Sequence, residues 1–149
     1  MMNKKHRIIV VTVIILIWQL PVLAQVKVAN YSYGKIGTEE YEHFDFWVKD
    51  GKRTTINYSY GKKHKEVELQ YIEKTKIEND SCFKVGFINK YILYIIPREN
   101  YLQVTDKASY NKKFQWEYEG PINGIGTYCD ICAENEDDAM KLVKENYLR

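Results

Sequence analysis

The chain has 149 residues, 45% of them hydrophobic, with 22 Lys+Arg against 20 Asp+Glu. That length bounds a single domain with a modest core. Charges of both signs are interspersed and the formal net charge is only +2, so there is no basic footprint of the kind nucleic-acid binding needs.

The first segment reads as an address. Lys4, Lys5 and Arg7 form a basic start, and Ile8–Trp18 is apolar apart from Thr12. Gln19 and Pro21 end the run, and Ala24 supplies a small residue before Gln25. This is the layout of a secretory signal peptide. It predicts cleavage between Ala24 and Gln25 and a secreted or periplasmic domain over 25–149. The competing reading is an uncleaved anchor, but Ile8–Ala24 is seventeen residues, and a spanning helix needs about 20. A lipid-modified start needs a Cys directly after the apolar run, and the first Cys is Cys82. Cleavage removes three cations and leaves nineteen Lys+Arg against twenty Asp+Glu. No later apolar run is long enough to span a bilayer as a helix. The Lys62-Lys63-His64-Lys65 cluster reads as a solvated hairpin tip.

From residue 26 the pattern is mainly of period two, the signature of half-buried strands. Val26, Val28, Tyr31 and Tyr33 predict a strand over 26–33. Phe44, Phe46 and Val48 alternate with His43, Asp45 and Lys49, with Trp47 on the otherwise polar face. Asp50-Gly51 suits a tight hairpin that needs two positive φ angles. The return strand carries Thr54, Ile56, Tyr58 and Tyr60 on one face. After a turn at Gly61–Lys65, Val67, Leu69 and Tyr71 alternate with Glu66, Glu68 and Gln70. Glu78–Ser81 reads as a loop. Phe83, Val85 and Phe87 mark the next strand, and Asn89-Lys90 the next turn. Tyr91–Ile96 is continuously apolar, which predicts a central strand covered on both faces, ended by Pro97. Residues 101–105 and 114–118 are further strand candidates. Asn135 then caps a helix over 135–147, with Glu136, Asp137 and Asp138 in its first turn and Ala139, Leu142, Val143 and Tyr147 on one face.

The expected fold is therefore mainly β (α+β). It is an antiparallel meander of about eight strands, a barrel or a strongly curved sheet, with one C-terminal helix packed on it. In outline this is similar to the lipocalins, without a Gly-x-Trp signature near the first strand, and the likeness extends to architecture alone. The hexapeptide Asn30–Lys35 recurs as Asn57–Lys62 at an offset of 27, which suggests two strands with equivalent ends.

Cys129-Asp130-Ile131-Cys132 is the sharpest chemical motif. A nearby helix N-terminus favours a thiolate, but Asp130, Glu134 and Glu136 oppose it, and the βαβ setting of a thioredoxin is missing. In an oxidising compartment the simpler reading is a disulfide. Either Cys129 and Cys132 pair locally and Cys82 is a buried thiol, or Cys82 pairs with one of them; the local pair is favoured. A Cys₃His metal set with His43 or His64 would have only one close ligand pair, and both histidines read as solvated. Gly120–Gly126 lacks the third glycine of a dinucleotide site and the lysine of a P-loop, so no cofactor is expected. No serine stands in a catalytic frame.

What remains is a non-catalytic binding or interaction protein. Thirteen Tyr, with Trp47 and Trp116 in the mature chain, favour a face that takes a small apolar ligand or a glycan. Trp47, Tyr58, Tyr60 and Trp116 are the candidate contacts. Docking on a secreted protein partner is a second form of this reading. Envelope thiol–disulfide exchange through Cys129 and Cys132, with Cys82 as the third thiol, is the alternative.

Overall fold

The computed structural model describes residues 24–117 and 129–149. The basic and apolar start up to residue 23, Tyr118 and the glycine-rich segment 120–126 lie outside the described residues. Eight strands follow in order: β1 (Val26–Tyr33), β2 (Glu42–Lys49), β3 (Lys52–Tyr60), β4 (Lys65–Ile77), β5 (Asp80–Gly86), β6 (Ile92–Pro97), β7 (Tyr101–Thr105) and β8 (Asn111–Trp116). A helix, α1 (Glu136–Tyr147), ends the chain. Each strand pairs antiparallel with the next, and β8 returns to β1, so the sheet closes into a barrel.

Turn chemistry sets the register. Asp50 and Gly51 adopt φ of 51° and 69°, the paired positive angles whose twist matches flanking antiparallel strands. Glu78 adopts φ 56°, and the ladder reaches Ile77↔Asp80. The loop expected over Glu78–Ser81 is therefore a two-residue turn.

Inward positions carry the core: Phe44 and Phe46 on β2, Ile56 and Tyr58 on β3, Phe83 and Val85 on β5, and Leu102, Val104 and Phe114 beyond. Full burial of one such side chain contributes about 1.5–3 kcal/mol. A bulge interrupts β2–β3, because Phe46 pairs with Ile56 but Val48 pairs with Arg53. Thr54 is consequently exposed rather than on the face of Ile56 and Tyr58. The expectation for β6 also needs correction. Leu93 and Ile95 are buried, but Ile92 is exposed and Tyr94 only half-buried. A closed barrel has one interior, and on the alternate face of this run only Ile96 is buried. The last strand begins at Asn111 rather than at Phe114.

Helix α1 stoppers the barrel end that holds the Asp50-Gly51 turn. Asn135 caps it, its side chain accepting from the Asp138 N–H at 2.9 Å. Ala139, Met140, Val143 and Tyr147 are its buried positions. The Tyr147 ring enters the barrel, with centroids 5.4 Å from both Phe46 and Phe83. Its hydroxyl reaches the carbonyls of Trp47 (2.7 Å) and Thr55 (3.2 Å) at the bulge.

Among the described residues β8 meets β1 at two register positions, Tyr31↔Trp116 and Ser32↔Gln115. Nearer the helix, the edge of β1 is taken by the segment before α1. The Val28 N–H donates to Ile131 O and the Ala133 N–H to Val28 O, both at 2.9 Å. Among the described residues no helix is long and apolar enough to cross a membrane.

Candidate functional site

The repeated hexapeptide organises the barrel wall. Asn30–Tyr33 and Asn57–Tyr60 lie on either side of β2 in the same register: Tyr31 and Tyr58 flank Phe44, and Tyr33 and Tyr60 flank Glu42. On the alternate face, Asn30 and Asn57 flank Asp45, and Ser32 and Ser59 flank His43. Each copy ends at a glycine of positive φ, 77° at Gly34 and 72° at Gly61. At Gly34 an added Cβ would stand 2.8 Å from the Glu40 carbonyl oxygen, so the glycine is required on two counts.

Inward, this arrangement builds the end of the barrel away from α1. Glu42 is 8% exposed and accepts from the Tyr110 hydroxyl and from Lys112 Nζ. Lys112 also stands over the rings of Tyr33 (4.5 Å) and Tyr110 (5.0 Å). A carboxylate so placed is tolerable only because it is paired and hydrogen-bonded. Burial, and then the Glu42 charge, hold the Tyr58 and Tyr110 phenols well above their usual range.

Beside this cluster β5 ends at Gly86, opposite Gln70 of β4, while β4 continues to Lys65 alongside β3. The wall parts there, and a cleft of about 540 Å³ opens. Tyr58, Tyr60 and Val67 form one side; Phe87, Ile88, Asn89 and Tyr91 of the β5–β6 turn form the other. Ile88 is 89% exposed, an unusual position for so apolar a residue in a turn. Tyr91 donates to Asp106 at 2.8 Å, which ties this turn to the β7–β8 loop.

The four aromatic candidates from the sequence therefore separate. Tyr58 and Tyr60 line the cleft. Trp116 pairs with Tyr31 at the barrel seam and packs against the core. Trp47 lies on the outer face of β2, opposite Val28 of β1 and the Thr54-Thr55 bulge of β3, outside the cleft lining. The sequence pattern assigns Phe87 and Tyr91 to strands, but β5 stops at Gly86 and β6 starts at Ile92, so both fall in the turn. Their signal was local: three apolar side chains, with Ile88, bracketing a turn that needs none.

On the outer wall His43 is 6% exposed, not solvated. Its Nε2 lies 2.5 Å from Asp45 and its Nδ1 3.0 Å from Glu117. Tyr41 also donates to Glu117, at 2.9 Å, and Asn30 to Asp45 at 2.7 Å. Two carboxylates on two ring nitrogens require both to carry protons. Burial pulls the imidazole pKa down, but bonds and charges from Asp45 and Glu117 outweigh it and push the value up to about 9. The hydrogen bond from His43 in turn lowers the Glu117 pKa. An imidazolium held on both sides has no lone pair to act as a base, so this is a clasp rather than a catalytic centre. His64 is exposed in its turn. Among the described residues no group of three or more His, Cys, Asp or Glu is set to hold a metal.

The cysteines take the local pairing. Cys129 and Cys132 form a disulfide, and Cys82 is a buried free thiol on β5. Burial raises the Cys82 pKa, opposite to what a reactive thiol needs. Cys132 is 5% exposed and bridges to Val28 in the seam. Comparison of the chain with family models, curated proteins and solved structures gives no match, so function is argued from the site alone.

Proposed function

We propose that this is an exported, non-catalytic binding protein that takes a small, mainly apolar ligand in the cleft at the open end of the barrel. The observation that carries the reading is the cleft itself: about 540 Å³, walled by aromatic and aliphatic side chains, at the end α1 does not cover. Its volume falls within the usual range of small-molecule sites, about 300–1,000 Å³. Export rests on the basic–apolar–small layout of the first 24 residues. Thiol–disulfide exchange gains less support, since Cys132 is buried and bonded into the β1 seam.

Titration with the neutral fluorophore N-phenyl-1-naphthylamine tests the reading. The wild type should give saturable binding of one equivalent. Val67→Trp, which fills the cleft, should weaken it at least tenfold, and Trp47→Ala should not change it. Absence of saturable binding, or binding indifferent to Val67→Trp, contradicts the proposal.

A further inference from the structure

The cleft holds four aromatic rings in one contiguous group. Tyr58 and Tyr60 are nearly parallel, 21° apart with centroids at 5.7 Å. Phe87 stands at 86° to Tyr58, with centroids at 5.5 Å. Tyr91 continues from Phe87 at 5.6 Å and 49°. Tyr58 and Phe87 meet near a right angle and Tyr91 is tilted on from Phe87, so the rings turn a corner rather than present the two parallel facing walls of a stacking slot.

The electrostatics of these rings differ from those elsewhere in the barrel. Among the described residues, Tyr71 has Arg53 over its ring at 4.0 Å, Tyr94 has Lys107 at 4.2 Å, and Tyr101 has Lys113 at 5.1 Å. Tyr33 and Tyr110 share Lys112. This chain thus satisfies the negative faces of its tyrosines with its own cations at many places. Among the described residues no cation stands over the rings of Tyr58, Tyr60, Phe87 or Tyr91. No charged side chain is among the described residues lining the cleft; Lys65, opposite Tyr60 in the β3–β4 ladder, and Lys90, beside Tyr91, are exposed next to it. One layer behind the rings stand carboxylates: Asp106, which accepts from the Tyr91 hydroxyl, and Glu42, shared by Tyr110 and Lys112. A phenol that donates to a carboxylate has a more electron-rich ring.

We infer that the cleft recognises an organic cation of the quaternary-ammonium class, its methylated head boxed by Tyr58, Tyr60, Phe87 and Tyr91 and its apolar remainder against Val67 and Ile88. Ring faces attract such a cation electrostatically, and a quaternary head asks for no hydrogen bonds in return. This inference rests on the reading of the cleft as a ligand site and adds the chemical class of the ligand.

The test is competition against bound N-phenyl-1-naphthylamine by choline and by 3,3-dimethyl-1-butanol, in which carbon replaces the charged nitrogen. Choline should compete at least tenfold more effectively. Tyr60→Leu, at a position 40% exposed, keeps an apolar wall without a π face and should cut that preference at least threefold, with folding checked by circular dichroism. Equal competition by the two molecules, no competition by either, or a preference untouched by Tyr60→Leu overturns the inference while the cleft remains a ligand site. If the fluorophore itself does not bind, the ligand-site reading fails and this inference with it.

Discussion

Two buried phenols in the same barrel make opposite predictions. The Tyr147 hydroxyl is shared between the carbonyls of Trp47 and Thr55, groups that the β2–β3 bulge removes from the ladder. Tyr147→Phe would leave these acceptors without that donor and should cost about 1–2 kcal/mol. Among the described residues the buried Tyr31 hydroxyl has no hydrogen-bond partner, so its desolvation is uncompensated by them, and Tyr31→Phe should be neutral or stabilise by up to about 1 kcal/mol. Urea denaturation of both variants checks the pair; a loss at Tyr31→Phe matching that at Tyr147→Phe would contradict this account. Neither difference was legible in the sequence. Tyr147 appeared only as one member of an apolar helix face. Its partners are made by the β3 bulge at Thr54-Thr55, which the apparent alternation of Thr54 with Ile56, Tyr58 and Tyr60 conceals.

Among the described residues, the strand join with the fewest register positions is that between β1 and β8, with two. Three devices reinforce it: the Glu117 N–H donating to Asn30 O at 3.0 Å, the Ile131–Ala133 segment on the edge of β1, and the His43 clasp reaching from β2 across β1 to Glu117. The clasp makes the join dependent on pH. His43 rises from 6.5 to about 9 on folding, so its contribution is fully present below pH 6.5 and is lost as pH rises through about 9. Glu117 is lowered from 4.5, so its contribution is present above that value and is lost as pH falls through its folded pKa. The urea midpoint should therefore fall between pH 6.5 and 9.5, and His43→Gln should flatten that fall. An equal slope in wild type and variant would show that the clasp does not govern the join. The strands themselves were readable because alternation and turn chemistry are local. The turn at Asp50-Gly51, the helix cap at Asn135 and the extent of β1 follow from neighbouring residues. The clasp was not readable, because His43 and Glu117 are 74 residues apart and only closure brings them together. The hexapeptide echo was visible as a repeat, but its meaning, the same register on both sides of β2, needed the ladder.

At the scale of the molecule, one barrel end is stoppered and, among the described residues, the other is open. Helix α1 and the Tyr147 ring fill the first, and the parting of β4 from the β5–β6 turn opens the second. Half of the cleft was within reach of sequence reasoning, through Tyr58 and Tyr60 on an inward face. The other half comes from a turn whose facing wall is set by where β5 stops. The central claim is that this open end binds the ligand, and a two-dimensional ¹H–¹⁵N NMR titration with N-phenyl-1-naphthylamine tests it most directly. The account predicts saturating shifts centred on Tyr58, Tyr60, Val67 and Phe87–Tyr91, with α1 unmoved. Shifts centred on α1, on Cys129–Cys132 or on Trp47, with the cleft silent, would contradict it.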